Sequence, residues 1–339
     1  MKGVITVILV LLGSLSLMAQ DIQYSQFYAN PLYLNPAMAG STGLSRIGLS
    51  FRNQWPGIDQ SFLAFTVYGD HYFESINSGL GIRVSGTRDS FTQSQQTEIH
   101  LNYSYRLKLG EDRFFQFGAQ GGLMMRDALF DGVILGDQLD IDRGVIIGQP
   151  GDGFEGESIL RSADLNVGGL YSGKNIWLGV AAFHLLEPPI SYFDVEANSL
   201  PVRWALHGGY RWNLAPGNIN DFFNNTDQER SFALAFNYKA QGEFSQLDLG
   251  GEFFFEPLAL GLWYRGFPTK YSLPNNESLI AVIGLVLESG LELGYSFDFS
   301  VSRLGQSMTG GSHELTVRYI FSSKGPKDRY LQSIPSFRF

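Results

Sequence analysis

Between His313 and Ser322 the chain alternates: Leu315, Val317, Tyr319 and Phe321 fall on odd positions, Glu314, Thr316 and Arg318 on even ones, with Ile320 the exception. A period of two is that of a β-strand with one apolar and one polar face. The split recurs in Leu291–Ser300, Gln246–Phe255, Glu98–Arg106 and Asp164–Ser172. Many such runs have the roughly 9–11 residues of a tilted strand crossing a bilayer, and their apolar face often ends in an aromatic ring. Tyr68, Trp204, Tyr210, Trp212 and Tyr264 fit the aromatic girdle of a membrane barrel. The pattern predicts strands over 45–54, 61–72, 78–87, 95–108, 113–126, 162–172, 175–186, 201–213, 231–240, 244–255, 257–265, 278–288, 290–300 and 313–322.

That makes about fourteen, an even number as single-chain bacterial barrels require. Tight links alternate with longer ones, which suits a barrel with short turns at one end and loops at the other. Two links break the rule: 214–230 is long where a short one is due, and 241–243 is short where a long one is due, so a strand could be miscounted there. Strand 278–288 departs differently, because Ile280, Val282 and Val286 make its inner face apolar too. It either packs against an inserted segment, such as the amino-terminal coil, or forms a seam for another subunit. The fold expected is an all-β transmembrane antiparallel barrel over 45–322, with an N-terminal coil over 20–44 packed against or into its lumen.

That coil holds two Asn-Pro steps, Asn30-Pro31 and Asn35-Pro36. The residue before proline avoids helix and proline lacks a donor, so the segment reads as ordered coil. It is expected to plug or brace the lumen from the periplasmic side. Residues 1–19 show Lys2, an apolar run from Val4 to Leu12 and a small residue at Ala19, the pattern of an export signal cut before Gln20. No later stretch has the roughly 20 apolar residues of a membrane-spanning helix. Residues 323–339 are broken by Pro326 and Pro335 and read as a periplasmic tail, either touching periplasmic machinery or else folded into the lumen or left disordered.

Composition changes the picture little. The 339 residues include 40 glycines, 27 phenylalanines and 16 tyrosines but no cysteine, which suits an all-β chain and excludes disulfides and thiolate metal sites. A net charge of −9 argues against nucleic acid as a partner.

The run SQFYANPLYLNPAMAG (Ser25–Gly40), followed by RNQWPG (Arg52–Gly57), resembles the start of the PorP/SprF family of type IX secretion system membrane proteins. GGSHELTVRYIF (Gly310–Phe321) is similar to that family's last strand, and GDQLD (Gly136–Asp140) to an internal pattern. The resemblance implies an outer-membrane barrel of Bacteroidetes-type bacteria serving the secretion and gliding apparatus. It further implies partners: other components of that system, and a secreted adhesin-type surface protein received through its C-terminal sorting domain. Gln26, Phe27, Asn30, Pro31, Asn35, Pro36 and Trp55 carry the structural signature of the coil, with Trp55 either a girdle residue or a clasp for that coil.

Catalytic and metal signals are poor. His71, His100, His184, His207 and His313 are scattered without ligand spacing. Ser312 and His313 adjoin, but strand neighbours point to opposite faces. No cofactor site and no enzyme activity are expected. The loop 127–161 is acidic, and Asp131, Asp137, Asp140 and Asp142 are the candidate contacts to a partner. The loop is either a solvated acidic segment or a calcium binder, although its spacing is not that of an EF-hand. Inward positions carry both signs, among them Arg46, Arg52, Arg83, Arg106, Arg203, Arg211, Glu252, Glu292, Asp298, Glu314 and Arg318. Mixed charge suits a lumen closed by ion pairs or by an inserted polypeptide. The rival readings are a hatch-gated channel for hydrophobic or small solutes and, from another class, a barrel hydrolase.

Overall fold

Period-two alternation, repeated along the chain, closes into one barrel. The computed structural model describes residues 21–58, 61–90, 94–128, 139–140, 143, 145–146, 159–190, 199–214, 229–266, 277–301 and 309–321. The leader over 1–19 and the tail over 323–339 lie outside the described residues. The wall begins with β1 (Ser45–Gln54), β2 (Phe62–Phe73), β3 (Ser78–Asp89), β4 (Ser94–Lys108) and β5 (Phe114–Ala128). It continues through β6 (Ile159–Ser172), β7 (Ile176–Phe183), β8 (Arg203–Asn213), β9 (Arg230–Gln241) and β10 (Phe244–Phe255). The last four are β11 (Leu258–Arg265), β12 (Ser278–Val286), β13 (Leu291–Ser300) and β14 (Ser312–Phe321).

Each strand pairs antiparallel with its sequence neighbours, and β14 returns to β1 from Ser45↔Phe321 to Gln54↔Ser312, so no open edge separates the first and last strands. The count of fourteen holds. The long link after β8 and the short one after β9 are departures in length only. Closure matters because hydrocarbon cannot satisfy unpaired backbone groups. Among the described residues no helix is long and apolar enough to cross a membrane; the strands do so instead.

The wall is inside-out relative to a soluble protein. On β14, Glu314, Thr316 and Arg318 are buried whereas Leu315 and Phe321 are 48% and 47% exposed. Leu101, Leu262 and Trp204 are more exposed still, at 66%, 57% and 56%. A monomer in water does not carry such a continuous apolar belt; a bilayer requires one. Trp204, Tyr210 and Trp212 are on this outer face, as expected. Tyr68 is a correction: it shares the inward parity of Ala64, Thr66 and Asp70, is buried, and donates its hydroxyl to the Ala29 carbonyl at 2.9 Å.

The lumen is filled by the chain's own residues 21–44. The two Asn-Pro steps do not abolish helix; they start it. Phe27–Ala29 forms a 3₁₀ turn, Pro31–Leu34 one α turn and Pro36–Met38 a second 3₁₀ turn. Proline is tolerated at the first helical position, where its missing N–H would have no partner anyway. Asn35 is extended (φ −162°, ψ 125°), as a residue before proline prefers, and its side-chain oxygen caps the next turn by accepting from the Ala37 N–H at 2.9 Å.

The apolar inner face of β12 now has its explanation. Ile280, Val282 and Val286 join Phe27, Tyr28, Met38, Phe254 and Trp263 in one buried cluster between coil and wall. Phe27 meets the Trp263 ring edge-on at 5.1 Å between centroids. Apolar packing holds the coil on the β10–β12 side, so that face needs no second subunit to bury it.

Candidate functional site

The coil descends the lumen and is bound to the wall at four levels. Its first described residue lies at the long-link end. Asp21 forms an ion pair with Arg203, 2.8 Å from its Nε, and lies 2.9 Å from His184 Nε2. The coil expected to plug or brace the lumen from the periplasmic side thus also reaches the opposite mouth. Arg203 begins β8 and His184 follows β7, so both belong to the opposite mouth.

His184 Nδ1 in turn meets Asp164 at 3.1 Å, and His100 Nε2 reaches the other oxygen of Asp164 at 2.9 Å. Arg83 contacts His100 Nδ1 at 2.9 Å; guanidinium only donates, so Nδ1 accepts and Nε2 carries the proton given to Asp164. Burial alone would pull His184 down, but the Asp21 and Asp164 carboxylates outweigh it and push the imidazole up to about 10. Burial alone would likewise raise Asp21, yet His184 and Arg203 hold it well below the usual carboxylate range. Asp21 and His184 are therefore an ion pair at neutral pH.

Next along the coil, still toward the long-link end, the backbone N–H groups of Ser25 and Gln26 donate to the Glu314 carboxylate at 2.7 and 3.0 Å. Arg52 bridges Glu314 and Asp298 at 3.3 and 2.8 Å, and Arg265 reaches Asp298 at 3.0 Å and the Tyr24 carbonyl at 3.1 Å. The Gln26 amide reads both faces of its neighbours, donating to Ser296 Oγ at 3.2 Å and accepting from Thr316 at 2.8 Å. Lower still, Asn35 donates to the carbonyls of Gly169 and Val180 at 3.1 and 3.2 Å.

Near the tight turns, Asp70 takes the Gly40 N–H at 2.7 Å and pairs with Arg46 at 2.8 Å, while Ser104 and Gln116 donate to the Ala39 carbonyl. The wall is shaped to admit the coil. A Cβ on Gly118 would lie 2.2 Å from the Ala37 nitrogen, and one on Gly168 2.0 Å from the Asn35 side-chain oxygen.

A small pocket at the outward mouth, lined by Asp21, Gln23, Arg203, Lys239, Gln241 and Gln246 among others, has about 30 Å³ of room, a space of water size. Of the ion pairs among the described residues, those of Asp21 join coil to wall, while the others, such as Arg46–Asp70, Arg52–Asp298 and Arg83–Glu98, join strand to strand around it.

Gln26, Phe27, Asn30, Pro31, Asn35 and Pro36 are all buried in the lumen. Trp55 is elsewhere. It sits half-buried at the outward rim in a left-handed conformation (φ 59°), its N–H donating to Gly311 at 2.9 Å across the β1–β14 closure. Asp140 pairs with Val145 in a short ladder, whereas Asp131, Asp137 and Asp142 lie outside the described residues. Ser312 faces the lumen and His313 the outside, where it meets the Tyr295 hydroxyl at 2.8 Å, so the two do not form a catalytic pair. Among the described residues no group of three or more His, Asp or Glu side chains is arranged to hold a metal. The chain Asp21–His184–Asp164–His100 was not visible in spacing. His100 and Asp164 occupy readable inward positions, but their meeting with His184 and Asp21 is non-local.

A family model described as type IX secretion system membrane protein PorP/SprF matches residues 16–319. None of the curated proteins compared with the chain matches it. Similar solved structures include Omp33 of Acinetobacter baumannii, with 10% identity, 82% of this chain and 100% of that one covered, and a TM-score of 0.40. A FadL homologue of Pseudomonas aeruginosa has 12% identity over 85% of this chain and 93% of its own, with a TM-score of 0.40. CdiB from Acinetobacter baumannii has 9% identity over 82% and 60%, with a TM-score of 0.41.

Proposed function

The chain belongs to the PorP/SprF family of type IX secretion system membrane proteins, and from that premise we propose that it receives a secreted surface protein and anchors it at the cell surface. The protein is an outer-membrane β-barrel. In this reading its partner is an adhesin-type protein recognised through a C-terminal sorting domain, with other secretion components alongside. The observation that carries the reading is the occupied lumen. A barrel whose interior is bound to its own coil from Asp21 to Ser41 has no free passage to offer a solute. What it offers is an outward surface of long links on a rigid support, the usual setting for binding.

The remaining parts take their places accordingly. Residues 1–19 act as the export leader, and removal after Ala19 leaves the new terminus beside Asp21, at the outward mouth. The tail over 323–339 follows β14 at the tight-turn end, which faces the periplasm in such barrels. Asp131, Asp137, Asp140 and Asp142 on the longest link are contacts for the partner. Affinity purification from native membranes tests the proposal: one large secreted protein should be recovered with the barrel. Recovery of the barrel alone, together with solute uptake into liposomes, would replace this reading by a channel.

A further inference from the structure

Strand β6 outreaches its neighbour. On one side it pairs with β5 along its whole length, from Ile159↔Asp127 to Ser172↔Phe114. On the other, its ladder with β7 covers only Val167 to Ser172. Two more bonds extend it: the Leu185 N–H to the Leu165 carbonyl at 2.9 Å, and the His184 N–H to the Asn166 side chain at 2.7 Å. There the chain turns off. His184 and Glu187 adopt left-handed conformations (φ 59° and 43°), and Pro188 and Pro189 follow.

Prolines have no N–H, so β7 cannot continue along β6. The left-handed conformation of His184 is held by its contacts to Asp21 and Asp164. The same residue therefore fastens the coil and ends β7 early. Above it, Ile159 to Asp164 has no strand beside it on the β7 side, the longest such stretch of wall among the described residues.

Its chemistry specifies what fits. The Leu165 carbonyl points toward β7, so by strand alternation the backbone groups of Ala163 and Arg161 point the same way. Water can meet these groups one by one, but an extended polypeptide matches the spacing of the whole row. The Arg161 side chain is exposed on the outer face and makes no ion pair among the described residues. Below it on that face come Leu165 and Val167, 39% and 40% exposed, which belong to the hydrocarbon belt. Arg161 thus marks the outer membrane interface, where a charge on this face is tolerated.

We infer that the bare edge of β6, Ile159–Asp164, accepts an extended segment of the secreted partner as an added strand, with a carboxylate of that segment opposite Arg161. The inference rests on the partner reading above and says where the partner attaches. Opposite charges directly across a strand pair attract, and main-chain bonds in such additions supply affinity while side chains supply selection.

The probe is the purified terminal domain of the secreted protein recovered with the wild-type barrel. Ala163→Pro removes an N–H that faces only the bare side, Ala163→Ser keeps it, and Arg161→Glu opposes the partner's carboxylate. Ala163→Pro and Arg161→Glu should each weaken binding at least tenfold, with Ala163→Ser unchanged. In the wild type, amide exchange at Arg161 and Ala163 should slow when the domain binds, a readout that needs no variant to fold. Unchanged exchange, with Ala163→Pro binding as tightly as wild type, overturns the edge and leaves the partner reading standing. A wild-type barrel that recovers no secreted protein overturns both.

Discussion

At His184 three parts of the chain meet: the end of β7, the inward carboxylate of Asp164 on β6, and Asp21 at the start of the coil. Because folding raises the imidazole from 6.5 to about 10, its contribution is fully present below pH 6.5 and is lost as pH climbs through about 10. Asp21 works in the opposite sense. Its pKa is depressed from 3.8, so its contribution is present above that value and is lost as pH falls through the lower folded value. Thermal stability in detergent should therefore peak between about pH 4 and 6.5 for this pair, and His184→Gln should flatten the alkaline limb. That change should cost about 1.5–3 kcal/mol at neutral pH, the range for hydrogen bonds to charged groups. Arg52 makes a larger claim. Its loss leaves Glu314 without a guanidinium and Asp298 with Arg265 alone, so Arg52→Met should destabilise by roughly 3–5 kcal/mol in urea unfolding. Single residues of this kind were half legible. The inward parity of Arg52, Asp298 and Glu314 is readable from alternation, but which of them touch depends on register between strands far apart in sequence.

The elements were far more legible. Period two is the rule along the wall because lipid lies on one side and a polar interior on the other, with β12 the exception where its inner face meets the apolar coil. The turn chemistry was legible in part. Asn30-Pro31 and Asn35-Pro36 mark the coil correctly, but proline's place at the first position of a helical turn was hidden by its reputation as a breaker. The early end of β7 was not legible either, since Trp177 to Leu186 reads as one apolar run. What cuts it is the turn at His184, fixed by partners from β6 and the coil. The fit of the coil makes its own prediction. Gly118→Val would place a branched side chain where the Ala37 backbone lies 2.2 Å from a Cβ, so the coil must leave. Limited proteolysis should then cut within 21–44 in the variant while the wild-type coil resists, with the barrel's heat-dependent gel mobility kept in both.

Across the whole molecule, two surfaces of opposite character follow from one alternation. Outside lies a belt of Leu, Ile, Val and aromatic side chains; inside lies a lattice of Arg, Asp, Glu, Gln and Asn that bonds partly within the wall and partly to the chain's own first segment. Family membership supplies the secretion system, and the coil bound along the lumen is the feature on which the proposed anchoring role rests. That feature is tested most directly by recording ion currents through the purified protein in planar bilayers, beside a form lacking residues 21–41. The account predicts no steps from the full-length barrel and regular conductance steps once the coil is gone. Stable steps of equal size from both would contradict it.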